Sequence, residues 1–483
     1  MTTERGSELL PANIAKLYFM TRPDRPSVAQ QIELEIESLA FGGRGLARLN
    51  GFVIFVEGAL PGDRVLAQII RSRRSFAEAR TVAVISPSQA RIEPECRHFG
   101  VCGGCSWQTL EYQTQLKFKQ RQVDDCLSRI GGVDEYEIDT PLGASQIWRY
   151  RNKVEYSFTG GEGGLKLGFH LPGDWRRVMD VEDCLLHSET TNRMRDFIRE
   201  FASQSGAGAY DQRSGEGFWR HLVLREAFRT GEVMVNIVTA PGEFPDARRF
   251  VNEITSAFPG IASLLWSVNG GRSSVAAGFP YHVLAGRDHI FEEIGGLKLA
   301  VSPSSFMQTN TGMAERLYGK SLEYGAPGAG ELVFDLYSGI GSIALLFARR
   351  CREVVGIEIV AEAARAAAAN ARLNNIENAS FRYGKVRSVL KEILAAGRVR
   401  QEYGSGPVEL VILDPPRAGA SKKEIQRILE LDPGRIVYVS CNAATMAANA
   451  FQLKEGGYRL VKAGSVDMFP HTPHIEVVAS FKK

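Results

Sequence analysis

From about residue 300 onward, five short apolar stretches recur: Leu332 to Leu336, Glu353 to Ile357, Ala379 to Tyr383, Leu410 to Leu413 and Arg435 to Val439. Segments with helical spacing separate them, including the alanine-rich Ala361 to Leu373. Strands separated by helices cannot close as hairpins and need crossovers, so this alternation predicts a doubly wound parallel sheet. In such a sheet ligands bind outside the carboxyl ends of the strands. Chemistry in this part of the chain is therefore sought in the residues that end those five stretches.

The rest of the chain has different patterns. Between residues 28 and 86 about five strands are packed into fewer than 60 residues, punctuated by Gly42-Gly43, Gly45 and Pro61-Gly62-Asp63. That density predicts a small closed β-barrel, an architecture that often grips single-stranded nucleic acid. A cysteine-rich stretch over 90–105 leads into a helical pattern over 108–130 that ends at Gly131-Gly132. Residues 147–290 read as mainly β, with one helix near Thr190 to Ser203. The expected organisation is an aperiodic extension over 1–27, a barrel over 28–88, a central β-rich domain over 89–299 and an α/β domain over 300–483. The helix over 108–130 could pack on that last domain.

At 483 residues several separate cores are expected. With 44% hydrophobic and 23% charged residues the chain is neither disordered nor fibrous. It contains no run of about 18 apolar residues, and its N-terminus lacks the apolar core of a signal peptide, so a cytoplasmic, membrane-free monomer is expected. The net charge is only +3, so any nucleic-acid surface must come from local clusters. Arg64, Arg71, Arg73, Arg74 and Arg80 face a single acid, Glu78, in one such cluster. Trp148 to Lys153 interleaves bases with aromatics in another.

The segment from Val333 to Ser342 is a strand running into a glycine turn that opens a helix. Gly339 and Gly341 let the backbone turn sharply and lie against a ligand. A dinucleotide fingerprint would place a third glycine where Ala344 stands. The pattern Asp335-x-x-x-Gly339-x-Gly341 suits S-adenosylmethionine instead, and Glu358 ends the next strand where a carboxylate can accept both ribose hydroxyls. Asp414-Pro415-Pro416-Arg417 ends the fourth strand. Arg417 stands where an enzyme methylating an exocyclic amine would carry an aromatic. The fifth strand delivers Ser440-Cys441-Asn442 to the same edge, which makes Cys441 a candidate nucleophile.

These motifs, with Ser305 to Asn310 and the terminal His474-Ile475-Glu476, resemble the RNA uracil-5 methyltransferase family from about residue 28 to the C-terminus. The front segment, Ala40 to Gly45 and Ala59 to Asp63, resembles the TRAM domain of the family's ribosomal-RNA branch. The resemblance implies a Rossmann-like methyltransferase domain and methylation of C5 of one uridine in 23S ribosomal RNA. The base would be flipped from a single-stranded or loop region. It makes Cys441 the nucleophile and Glu476 the proton acceptor. Gln308, Asp335, Tyr337, Gly339, Gly341, Glu358 and Asp414 would hold S-adenosylmethionine, while Phe306 and Arg417 would meet the substrate. The rival readings are the same chemistry on transfer RNA and an RNA-binding module without catalysis. Cytosine-5 methylation is disfavoured because no cysteine adjoins the Asp-Pro-Pro-Arg turn.

Cys96, Cys102 and Cys105 form a close triplet, and Cys184 follows far downstream. A triplet with one remote partner is typical of iron-sulfur ligation, whereas paired Cys-x-x-Cys units are commoner for zinc. The resemblance implies a [4Fe-4S] cluster on these four residues.

Overall fold

The computed structural model describes residues 25–161, 164–395 and 407–483, which form two compact units meeting in sequence at Arg91 and Ile92. The extension over 1–24 lies outside the described residues.

The first unit holds β1 (Gln31–Glu35), β2 (Ser38–Leu39), β3 (Gly45–Leu49), β4 (Phe52–Glu57), β5 (Arg64–Ser72) and β6 (Phe76–Ser86) in one sheet of order β1-β5-β6-β4-β3-β2. The two edge strands are consecutive in the chain, and the alternating inward residues Leu34, Ala47, Ile54, Val65 and Ala77 share one core. Buried Asp63 locks the turn before β5, accepting from Leu60 N at 2.7 Å, Ser88 N at 2.8 Å and the Arg91 guanidinium. The arginine cluster is partly paired: Arg64 meets Glu33 at 2.8 Å and Arg71 meets Glu78 at 3.5 Å, while Arg73 and Arg74 stand exposed at the β5–β6 turn.

The second unit begins with α1 (Tyr112–Arg129), capped by Glu111 through Gln113 N and Thr114 N, and β7 (Glu137–Ile138). A seven-stranded sheet of order β10-β9-β8-β11-β12-β13-β14 follows, built from β8 (Lys153–Gly161), β9 (Gly164–Leu171), β10 (Asp174–Asp180), β11 (Trp219–Glu226), β12 (Val233–Thr239), β13 (Ile261–Val268) and β14 (Tyr281–Gly286). Two helices, α2 (Glu189–Gln204) and α3 (Ala247–Ala257), cover one face, where Met194, Ile198, Phe250 and Ile254 meet Val154, Tyr156, Leu222 and Leu224. The sequence reading expected only one helix here. The apolar register of α3 rests on just two buried residues, Phe250 and Ile254, too few to stand out as a period.

The hairpin β15 (Ile290–Ile294) and β16 (Leu297–Val301) precedes α4 (Thr311–Gly325). The alternation then runs β17 (Leu332–Leu336), α5 (Ser342–Ala348), β18 (Glu353–Glu358), α6 (Ala361–Leu373), β19 (Ala379–Tyr383), α7 (Val386–Ala395), β20 (Leu410–Leu413), α8 (Lys422–Leu431), β21 (Arg435–Ser440) and α9 (Ala443–Glu455). These five strands pair in parallel in the order β19-β18-β17-β20-β21. The antiparallel β22 (Arg459–Val466) and β23 (Glu476–Lys482) complete the sheet, with β7 at its edge. Val123, Cys126 and Leu127 of α1 join the core of this sheet beside Met446, Ala447 and Ala450 of α9. Cys126 and Cys351 are buried among apolar side chains.

Candidate active site and cysteine cavity

Three strand ends build the cofactor-type edge. After β17 the chain turns through Tyr337 at φ 81°, Gly339 at 55° and Gly341 at 89°. A Cβ on Gly341 would press on Ala367 and Phe381 at 3.2 Å, so glycine is required there on both counts. Glu358 holds this turn, accepting from Gly339 N at 2.9 Å and Val360 N at 2.7 Å. Asp335 is buried, and neither of its oxygens has a hydrogen-bond partner of normal geometry. Its carboxyl is pushed up to about 8 by burial and by the Asp414 charge, and burial pushes Asp414 up to about 7.

The reactive candidates lie one strand further along. Ser440 of β21 pairs with Val477 of antiparallel β23, which makes Cys441 and Glu476 neighbours just past that pair. Cys441 is half-buried before the first turn of α9; burial, then Glu476 and Asp414, push its thiol up to about 11. Glu476 is buried and lies well above the usual carboxylate range because of burial and Asp414. Arg417 opposes both shifts and donates to His474 Nδ1 at 2.9 Å. Asn442 brackets this corner: Oδ1 caps α9 at Ala444 N, 3.1 Å, and Nδ2 donates to Arg417 O at 3.0 Å.

Residues 305–310 reach the same edge as a braced loop. Asn152 N donates to Thr309 O at 2.8 Å, and its side chain donates to Gln308 O at 3.0 Å and Thr311 Oγ1 at 2.9 Å. Buried Arg225 donates to Ser305 O at 2.9 Å, and Asn310 donates to Met468 O at 3.2 Å. Gln308 is buried, whereas Phe306 is 70% exposed and so is no core residue.

Cys96, Cys102, Cys105 and Cys184 line a single cavity of about 600 Å³, together with His98 and His187. Burial pushes Cys105 up to about 12 and Cys184 up to about 11, and the other thiols of the group add to both shifts. Among the described residues no group of three or more His, Cys, Asp or Glu is placed to hold a single metal ion. The cavity is tied to the segment that carries Glu476, because Ser106 N and Trp107 N donate to His471 O at 3.1 and 3.0 Å. The aromatic-basic segment 148–153 is a brace here. Trp148 stacks on His471 at 3.8 Å, Arg149 bonds Asp183 and Cys184 O, and Tyr150 bonds Pro470 O.

Residues 294–483 match the tRNA (uracil-5-)-methyltransferase family, and residues 27–82 match the TRAM domain. A protein of Bacteroides thetaiotaomicron named an uncharacterized RNA methyltransferase is 39% identical over 457 residues, covering 91% of this chain and 99% of that one. Another so named, from Halalkalibacterium halodurans, is 37% identical over 448 residues, covering 93% and 96%. The crystal structure of Pyrococcus abyssi tRNA (uracil-54, C5)-methyltransferase with S-adenosyl-L-homocysteine superposes with a TM-score of 0.73 at 29% identity. It covers 93% of this chain and 100% of that one. The chain belongs to the RNA (uracil-5-)-methyltransferase family.

As a member of that family it is an S-adenosylmethionine-dependent RNA methyltransferase with a TRAM domain. No helix among the described residues is long and apolar enough to cross a membrane. Within this uracil-5-methyltransferase the structure brings Asp335, Gly339, Gly341, Glu358 and Asp414 to one edge, with Cys441, Glu476 and Arg417 beside them. The phenol of Tyr337 packs toward the core side, so Tyr337 faces the turn with its backbone only. Sequence reasoning missed Asn152 and Arg225. Their partners lie 80 to 159 positions away; Arg225 sits in no motif, and Asn152 stands in the aromatic-basic segment 148–153 with nothing local to mark it as a brace.

Proposed function

We propose that this chain methylates C5 of a specific uridine in 23S ribosomal RNA through a covalent adduct with Cys441. The observation that carries the reading is the juxtaposition of Cys441 and Glu476 across the β21–β23 pair, at the edge where the glycine turn and Asp414 converge. The Cys441 sulfur adds as thiolate to C6 of the flipped base, moving the C5–C6 π electrons toward O4 and making C5 nucleophilic. S-adenosylmethionine, held by the Gly339–Gly341 turn, Glu358, Gln308, Asp335 and Asp414, supplies the methyl group. Glu476 then takes the C5 proton, and the returning electron pair reforms C5=C6 as the Cys441 sulfur leaves. Phe306, exposed on its braced loop, stacks on the base, and Arg417 steadies the anionic oxygen.

An edge with buried Asp335 and half-buried Asp414, neither with a countercharge among the described residues, fits a cationic sulfonium. The linkage is testable. Asp335 and Asp414 are protonated in the ligand-free fold until about pH 7 to 8, and a bound cation favours their ionised forms. Binding therefore releases protons, and affinity for S-adenosylmethionine should rise between pH 6 and 8, by up to about tenfold per unit for one linked proton. The neutral thioether S-adenosylhomocysteine should gain less. The sign for stability is opposite: these raised carboxyls stabilise the ligand-free fold at low pH, and that contribution is lost as pH rises through 7 to 8. Calorimetric titration with both ligands at the two pH values is the measurement, and identical pH dependence would remove the carboxylate-sulfonium pairing.

The four cysteines suit a [4Fe-4S] cluster, which would add a structural clamp on the loops around Cys105 and Cys184. Supporting this are the single cavity that all four line and the three-plus-one spacing. Transfer RNA is the second reading. It is favoured by the likeness, over 93% of this chain, to a structure described as a tRNA (uracil-54, C5)-methyltransferase. Mass mapping of 5-methyluridine in ribosomal and transfer RNA from cells with and without the gene decides between them. Loss of a single 23S site is expected, and loss confined to transfer RNA would overturn the ribosomal assignment.

A further inference from the structure

The face of β8 turned away from α2 and α3 is polar. Along β8 the residues Val154, Tyr156 and Phe158 enter the apolar core, so the alternate residues Lys153, Glu155, Ser157 and Thr159 point the other way. Ser157 and Thr159 line a second cavity of about 280 Å³ there, with Arg176, Arg213, Arg220 and His221. The cavity contains one acid, Asp211, and that acid is committed to its own turn, accepting from Arg213 N at 2.8 Å and Ser214 N at 2.9 Å.

The site is built from buried parts. Arg220 is only 3% exposed and is fixed by carbonyls of Asn269 at 2.8 Å and of Gly271 and Ser273 at 2.6 Å, with its guanidinium 4.0 Å over the Tyr210 ring. Its Nε is buried with no hydrogen-bond partner. Ser157 Oγ bridges His170 Nε2 at 3.0 Å and His221 Nδ1 at 3.2 Å, which orders both rings. A fixed, incompletely partnered guanidinium beside two exposed arginines suits an oxyanion with several acceptor atoms.

The same two strands lead to the methylation loop. β8 starts beside Asn152 and β11 ends at Arg225 and Glu226, and Asn152 and Arg225 hold residues 305–309. Four or five residues of strand separate His221 and Ser157 from these braces, or about 13–17 Å. That is roughly four to five nucleotides of helical rise, and fewer for an extended strand.

We infer that this cavity binds a backbone phosphate of the substrate RNA, a few nucleotides from the uridine being methylated. The inference rests on the proposed RNA methylation and adds a second anchor that sets which nucleotide reaches Cys441.

The test compares wild type with the double variant Arg176→Ala/Arg213→Ala, both exposed positions, and with Arg220→Lys, using unmodified ribosomal and transfer RNA transcripts. Binding is measured across a salt series. The double variant should bind about tenfold more weakly at low salt, and its log–log salt slope should fall by about 0.7, the value for one single-strand phosphate contact. Unchanged affinity and slope in the double variant would overturn the assignment. Calorimetry with inorganic phosphate separates the two sources of the anion. Phosphate binding that the double variant loses while its RNA slope stays at the wild-type value would mark a small-anion site and likewise overturn it. Methylation of the same transcripts by wild type checks the parent reading independently. If wild type binds RNA but methylates none, the parent reading fails, and the slope comparison still decides the cavity.

Discussion

Replacing Cys441 with alanine should abolish methyl transfer, while replacing Glu476 with glutamine should trap the enzyme on its RNA. Without the thiol, C5 of uracil never gains enolate character, so Cys441→Ala is expected to show neither adduct nor product, a loss on the order of 10⁴-fold or more. Glu476→Gln keeps the nucleophile and nearly the same shape, so addition and methyl transfer proceed. The C5 proton then has no acceptor, and elimination slows by about 10²–10⁴-fold. Folding is not at risk in the second variant. Glu476 is buried, and burial first and Asp414 second hold its carboxyl above its usual range, so a neutral amide of nearly the same shape suits the site. A denaturing gel with cofactor and labelled RNA reads both out, as a shifted band for Glu476→Gln and none for Cys441→Ala. Methyl transfer by Cys441→Ala, or an adduct through another cysteine, would disprove the mechanism.

The second large effect concerns the cysteine cavity. Protein purified without oxygen should be brown, with iron and acid-labile sulfide in equal amounts, and Cys184→Ser should reduce both to about a tenth or less. The structural consequence should reach beyond the cavity. Cys184 N and O are held by Asn192 at 3.0 and 3.1 Å, and the residues after Cys105 hold His471 O, five positions before Glu476. Hydrogen exchange should therefore quicken over 467–474 in Cys184→Ser, and the melting temperature should fall. That segment is otherwise firmly tied. Lys119 and Asp467 form an ion pair at 2.6 Å with both side chains fully buried, and breaking such a pair costs about 3–5 kcal/mol. Stoichiometric zinc without labile sulfide would rule the cluster out.

The catalytic edge was legible because its residues end apolar strands, and strand order in an α/β sheet follows from local pattern. Glu358, Asp414 and Cys441 each terminate or follow a stretch whose apolar run and flanking helix are visible in the chain, Asp335 stands one residue before the end of another, and parallel pairing then places those ends together. Glu476 could be named from the resemblance, but its position beside Cys441 needed β23 to enter antiparallel next to β21. An apolar run such as Val477 to Val478 carries no record of its partner or direction. The cysteine triplet was equally local, whereas its closure by Cys184 into one cavity required the loop after β10.

What the tertiary structure alone decided lies between distant segments. Segment 148–153 had the composition of an RNA grip, yet its aromatics and Arg149 are spent bracing Cys184, Pro470 and His471, because a side chain's use depends on which backbone carbonyls the fold brings near it. Phe306 could be named from the resemblance, but its 70% exposure was decided by the fold, because Asn152 and Arg225 hold its loop by the carbonyls and leave the ring outside. Arg220, one arginine among many in the sequence, became a candidate ligand only when β8, β10 and β11 framed a cavity around it. Sequence determined which chemistry is present, since residue type and local period are properties of neighbours in the chain. The fold decided which side chains are free to perform it, since hydrogen-bond partners are set by proximity in space.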